Sequence, residues 1–268
     1  MTRRALGPIA LVVALALAGC RRLPAPDLPA DPAALLDEVV RAQRAVTSVE
    51  GQARVHVEAR GFEGTVTQFI AAEKPDRLHV ETLDFFGNVV AVLVASGDRF
   101  ALYDAREKVL YRGRPTKENI ARLVPLAIDA SSLVTILCGS APLLPGGTPV
   151  ELEPGEGVVR LVLDGGDRRQ TLAIGAEAAV ERSRVRLVGA DGAVTDAPAP
   201  DAFDLRFDVF RRWGGARFPT DLHLVARDPA AKLDLHWTEV EVNRPVDPEL
   251  FVLEPPRGAR VVELADAG

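Results

Sequence analysis

Glu50-Gly51-Gln52-Ala53-Arg54-Val55-His56-Val57-Glu58-Ala59-Arg60 places small or apolar residues at 51, 53, 55, 57 and 59, and polar ones at every position between. Successive side chains of a strand point to opposite faces, so this period of two describes a strand with one dry and one wet face. Gly61-Phe62-Glu63-Gly64 follows as its hairpin turn. Strand-like runs recur at 65–72, 77–83, 89–95, 99–103 and 108–111. Lys74-Pro75-Asp76, Phe86-Gly87-Asn88, Ser96-Gly97-Asp98 and Asp104-Ala105-Arg106-Glu107 punctuate them. Strands this closely spaced predict an antiparallel meander.

Towards the C-terminus the meander is interrupted once. Thr116 to Val124 predicts a short helix, with Ile120, Leu123 and Val124 on one side and Pro125 as its stop. A second helix spans 130–138 and ends at Gly139. After a loop at 141–148, strands are expected near 150–152, 158–163, 170–174, 180–188, 205–210, 217–226 and 232–242. The Ala/Asp/Pro-rich stretch 190–200 reads as a loose loop. In the last strand Leu233, Leu235 and Trp237 share one phase and Val240 and Val242 the other, so a bulge is expected near Thr238.

Towards the N-terminus, Asp31 caps a helix with Pro32 in its first position. Leu35, Leu36, Val39, Val40, Gln43 and Val46 share one face, while Asp37, Glu38, Arg41 and Arg44 take the other. Such an amphipathic helix must lie on an apolar surface. Before it, prolines at 24, 26, 29 and 32 give a stiff extended tether.

Residues 1–19 have the build of an export signal. Arg3 and Arg4 precede an apolar stretch, Ala5 to Leu17, too short for the roughly 20 residues of a spanning helix. Leu17-Ala18-Gly19-Cys20 resembles the bacterial lipobox, which implies lipidation of Cys20 and loss of residues 1–19. The expected organisation is a signal at 1–19, a lipidated cysteine and tether at 20–32, and one domain over 33–264. Arg21 after the cysteine implies, by the lipoprotein sorting rule, the periplasmic face of the outer membrane. Removing Arg3 and Arg4 takes the formal charge from -6 to -8. A negative body on an acyl tether is not a polybasic membrane binder.

The composition is globular, 47% hydrophobic and 26% charged, with only 5% aromatic residues. A chain of 268 residues can bury a sizeable core. The negative charge and the lack of any Lys/Arg block exclude a nucleic-acid partner, whose phosphates require a basic face. With Cys20 acylated, Cys138 has no disulfide partner and reads as a small buried hydrophobe among Leu133, Ile136 and Leu137.

Catalytic signatures are missing: the chain has no nucleophile elbow, zinc-protease pair, Walker-type loop, EF-hand loop or paired cysteines. His56, His79, His223 and His236 each alternate onto the polar face of a strand and read as solvated. No catalytic residue, metal ligand or cofactor is assigned, and a non-enzymatic role is expected.

The layout resembles the lipoprotein-localisation proteins LolA and LolB. The resemblance rests on Val49-Glu50-Gly51-Gln52-Ala53-Arg54-Val55, Lys74-Pro75-Asp76-Arg77-Leu78-His79-Val80-Glu81 and Asp84-Phe85-Phe86-Gly87. It continues through Tyr111-Arg112-Gly113, Leu133 to Leu137 and Cys138-Gly139-Ser140-Ala141-Pro142. Phe218-Pro219-Thr220-Asp221-Leu222-His223-Leu224, Asn243-Arg244-Pro245-Val246-Asp247-Pro248-Glu249-Leu250-Phe251 and Pro255-Pro256 complete it. It implies a mainly β fold, an incomplete antiparallel barrel of about 11 to 13 strands closed by short helices. The lid-locking arginine of the soluble carrier has no counterpart here, and the lipid anchor is closer to the receptor.

What the resemblance implies for function is transfer of acyl chains into an apolar cavity, driven by burial alone. Alternation places Val55, Val57, Phe69, Leu78, Val80, Val92 and Val94 on its walls, with Ile120, Leu123, Leu133, Ile136 and Leu137 in a helical lid. Phe85 and Phe86 form the membrane-touching loop. Expected partners are the membrane, through Cys20, and acyl chains or lipidated client proteins, bound by a monomer. The alternative is a structural or interaction lipoprotein whose core is filled.

Overall fold

A computed structural model describes residues 26–122, 126–198, 202–227 and 230–264. Residues 1–25, with Cys20, and Leu123 to Pro125 lie outside the described residues. The first helix, α1 (Pro32–Arg44), starts where Asp31 accepts a hydrogen bond from the Ala34 amide at 2.8 Å. Leu35 and Val39 are fully buried, as the apolar face requires, and Gln43 Nε2 donates to the Ala141 carbonyl at 3.0 Å.

The alternating stretch forms β1 (Ser48–Ala59), followed by β2 (Phe62–Glu73), β3 (Arg77–Leu83), β4 (Val89–Ser96), β5 (Arg99–Asp104) and β6 (Val109–Gly113). Ala59 pairs with Phe62, so the first hairpin turns on Arg60 and Gly61 alone. Gly61 takes the left-handed φ of 81° that such a turn demands. The expected four-residue turn is therefore shorter by two, and Phe62 joins the strand. Helices α2 (Lys117–Ile120) and α3 (Ala130–Leu137) follow, each opened by a side-chain cap, Thr116 and Asp129 respectively.

The second half comprises β7 (Thr148–Pro154), β8 (Val159–Asp164), β9 (Arg168–Ile174), β10 (Val180–Val188), β11 (Val194–Pro198), β12 (Phe203–Trp213), β13 (Ala216–Arg227), β14 (Ala230–Val242) and β15 (Arg260–Glu263). One sheet contains all fifteen described strands, in the order β15-β6-β5-β4-β3-β2-β1-β14-β13-β12-β10-β9-β8-β7, with β11 hydrogen-bonded to β10. Its ends do not meet, so the barrel is incomplete. Two strands exceed the sequence count. β11 lies in the stretch read as a loose loop, and β15 runs parallel to β6, the exception to the antiparallel rule.

The seam between the halves is the β1–β14 pair. Its register slips between Gln52 and Ala53, opposite Glu239 and Trp237, leaving Thr238 as the extra residue of the expected bulge. Thr238 Oγ1 donates to the Gln52 carbonyl at 3.1 Å. The bulge lets Leu233, Leu235 and Trp237 face the concave side together with Val240 and Val242.

On the convex side the chain after β14 returns across β2–β4. Phe251, in a single 3-10 turn (Pro248–Phe251), and Val246 bury against Phe69 and Ala71, and Arg77 lies over the Phe251 ring at 5.2 Å. This strap corrects the reading of His79 as solvated. His79 is buried, with Nδ1 2.6 Å from the Leu250 carbonyl oxygen, Nε2 3.0 Å from Glu81 and its ring edge-on to Phe69. Alternation put His79 on the outward face correctly, but a segment 170 residues later covers that face. His79→Ala removes the strap's polar anchor. The expected result is faster proteolytic cleavage within residues 245–253, and an unchanged cleavage rate would show that the apolar contacts hold the strap alone.

Candidate functional site

The concave face is aliphatic because the inward phases of both halves are. Val55 and Val57 from β1, Leu78 and Val80 from β3, and Ile120, Leu133, Ile136 and Leu137 from the helices all belong to one buried cluster. α3 covers β2 and β3, while α1 lies against β7 and β8. These side chains are buried against one another, so an acyl chain enters between sheet and helices only if the helical cover moves.

Three expected wall residues face the other way. Phe69 pairs opposite Glu81, Val92 opposite Glu81 and Val94 opposite His79, all on the convex side. The concave positions are instead Ile70 in β2 and Leu93 and Ala95 in β4. The misreading has a physical origin. Residues 89–95 of β4 are apolar throughout, so alternation carries no phase there. In β2 the inward position Gln68 is polar, and its amide donates to Thr82 Oγ1 at 3.1 Å across the concave face. Leu123 lies outside the described residues.

Concave residues that the sequence reading passed over come mainly from the second half. Leu205, Phe207, Leu222, Leu224, Leu235 and Trp237 join the same cluster. Trp213 meets Phe218 edge-on at a centroid distance of 5.6 Å, and Trp237 meets it tilted at 6.3 Å.

The rim differs in character. Phe85 and Phe86 are 96% and 84% exposed at the β3–β4 turn. Asp84 fixes that turn by accepting from the amides of Phe86 and Asn88, each at 2.8 Å, and from the Asn88 side chain at 3.0 Å. Its carboxyl is held below the usual carboxylate range by the Asn88 side chain and then by the Asn88 and Phe86 amides. The β1–β2 hairpin turns at the same end of the meander and exposes Phe62 by 53%. Single exposed apolar residues are ordinary, but Phe85 and Phe86, edge-on to each other at 5.6 Å, form a small apolar patch that water disfavours.

At the opposite end, Lys74 ties the helices together. Its Nζ donates to the Gln43 carbonyl at 2.6 Å and to Ser140 Oγ at 3.4 Å, and burial draws the amine below its ordinary range. Burial likewise pushes the neighbouring Cys138 thiol up to about 12, against the pull of the Lys74 charge. Native protein at pH 8 therefore leaves Cys138 unmodified by a thiol reagent until denaturant unfolds it. Rapid labelling in native buffer would contradict this packing. Among the described residues no group of three or more His, Cys, Asp or Glu side chains is placed to hold a metal. No helix among them is long and apolar enough to cross a membrane.

No family model matches the chain, and no curated protein matches it. Solved structures do. An outer-membrane lipoprotein-sorting protein domain from Vibrio parahaemolyticus is similar at TM-score 0.54, with 11% identity over 80% of this chain and 94% of that one. A LolA superfamily protein from Nitrosomonas europaea is similar at TM-score 0.54, with 11% identity over 84% and 99%. The fold is LolA-like. A DUF1329 family protein from Desulfovibrio piger shares it at TM-score 0.54 and 12% identity, over 83% of this chain and 98% of that one. Identities this low carry the LolA-like architecture and no residue role.

Proposed function

We propose that this is a lipid-anchored envelope protein that binds acyl chains at a membrane surface, in lipoprotein or lipid trafficking to the outer membrane. It works from the periplasmic face and without catalytic chemistry. The observation that carries the reading is the rim: Phe85 and Phe86 stand out in water at the edge of a sheet whose concave face is mainly apolar. Such a rim gains free energy by entering the headgroup boundary, and an acyl chain leaving the bilayer there meets an apolar sheet. The lipobox at Cys20 would supply the anchor, and movement of α3 off β2 and β3 would open the space.

The test is native mass spectrometry of protein made without its acyl anchor, before and after incubation with an acylated peptide. A mass excess matching a phospholipid or the peptide supports the reading. The concave side chains are buried against the helices, and this favours a second reading, an interaction lipoprotein with a filled core. An unchanged apo mass would select it.

A further inference from the structure

A hollow of about 160 Å³ lies between the start of α3, the 142–145 loop and the inward sides of β9, β10 and β12. Its place follows from the sheet register. Phe203, which lines it, pairs with Ala226, Ala226 with Ala231, Ala231 with Ala59, and Ala59 with Phe62 of the rim hairpin. Ser183, which also lines it, lies between Leu172 and Leu205 of the concave cluster. The hollow therefore opens at the rim end of the sheet and on its concave side.

Gln170, which is buried, fixes one wall. Its Oε1 accepts from the Leu144 amide at 2.7 Å, and its Nε2 donates to the Pro142 carbonyl and to Ser183 Oγ, each at 2.8 Å. The amide has no other orientation, because turning it over would set Nε2 against an N–H and Oε1 against a carbonyl. Ser183 is thus an acceptor towards Gln170, and its own hydroxyl proton is directed elsewhere. That hydroxyl is on a residue only 3% exposed, and among the described residues Gln170 is its one hydrogen-bond partner. Asp129 does not serve it, being committed to the α3 cap, where it accepts from the amide and the hydroxyl of Ser132, each at 2.8 Å. A buried donor without an acceptor is costly, and an occupant of the hollow that brings an oxygen removes the cost. Ile128, Leu143, Val185 and Phe203 make the surrounding wall apolar.

We propose that this hollow receives the carbonyl end of an ester-linked acyl chain, with the carbonyl oxygen accepting from Ser183 Oγ and the tail directed inward past Leu172 and Leu205. The volume is roughly five times the ~30 Å³ of a water, room for a carbonyl and a few methylenes of one chain. The tail advances farther only as the helical cover moves. The assignment rests on the acyl-binding function proposed above and adds to it a mouth, with a polar contact that tells an acyl ester from plain hydrocarbon. A phospholipid and a diacylglyceryl cysteine present the same ester.

The test titrates the full chain, made without its acyl anchor, with dodecanoyl lysophosphatidylcholine below its micelle concentration and with the ether analogue, whose carbonyl is replaced by a methylene. The ester is expected to bind about fivefold more tightly, the worth of one net hydrogen bond. Ser183→Ala should bring the ester down to the affinity of the ether and leave the ether unchanged. In a Val185→Cys variant the ester should slow alkylation at residue 185 saturably. Equal affinity of ester and ether in the parent, a preference that survives Ser183→Ala, or alkylation at residue 185 untouched by saturating lipid overturns the mouth. If Ser183→Ala does not fold, the ester-to-ether ratio of the parent and the protection of residue 185 decide the matter. A diacylglyceryl-cysteine peptide that displaces the lysophospholipid at lower concentration assigns the site to lipidated clients, and the reverse order assigns it to membrane lipid. An acyl mass excess without an ester preference removes this mouth and keeps the function it rests on, whereas no binding of any acyl probe removes both.

Discussion

Phe85→Ser combined with Phe86→Ser lowers partitioning of the unanchored protein onto phospholipid vesicles by roughly a hundredfold. Each phenylalanine gains about 1.5 kcal/mol at the low end of side-chain burial, and about 3 kcal/mol together corresponds to that factor. Stability is expected to stay within about 0.5 kcal/mol of the parent, because both rings already stand in water in the folded state. They touch each other edge-on at 5.6 Å and belong to no buried cluster. Vesicle co-sedimentation alongside thermal melting separates the two effects. Partitioning that survives the double substitution would mean the rim does not meet the membrane.

Gly51→Ala sets a methyl group against backbone that cannot turn aside, and a large loss of stability is expected. A Cβ at Gly51 would sit 2.1 Å from the Glu239 carbonyl oxygen and 2.8 Å from the Val240 Cα. Both are backbone atoms of β14, so no side chain can turn aside. The site adjoins the bulge at Thr238, where the two halves of the sheet are joined. Relief requires the strands to separate or the bulge to migrate, at about 3 kcal/mol or more. At 2–4 °C per kcal/mol for a chain of this size, the melting temperature should fall by roughly 6–12 °C. A fall of less than about 2 °C would show that the seam can shift its register without strain. Gly61, where nothing lies within 4 Å of an added Cβ, makes the contrast: substitution there strains only the left-handed turn.

The residues that announced the fold were those whose two faces meet different surroundings. In β1, Val55 and Val57 alternate with Arg54, His56 and Glu58, and the phase could be read directly because one face is dry and the other wet. The cap at Asp31 and the stop at Gly139 were legible because each is fixed by chemistry within a few residues, and the bulge at Thr238 because the apolar phase switches between Trp237 and Val240. Gly139 ends α3 with a φ of 70°, a conformation that favours glycine.

Illegible parts depended on distant chain. β4 is apolar on both faces because the concave core takes one side and the C-terminal strap the other, so Val92 and Val94 could not be told from Leu93 and Ala95. Phe69 and His79 look like wall and surface respectively until Val246 and Phe251 arrive from the far end of the chain. β15 is a strand only by pairing with β6, some 150 residues earlier. Of the candidate site, the rim was readable from Phe85 and Phe86 next to Gly87.

The central claim is that acyl chains occupy the concave face, and Trp237 reports on that face directly. It is buried in the concave cluster, and Trp213 is the only other tryptophan in the chain. In a Trp213→Phe variant, titration with a brominated acyl chain should quench the Trp237 emission saturably, while the unbrominated chain should not. Emission unchanged at saturating brominated lipid would place the acyl chain elsewhere and contradict the account.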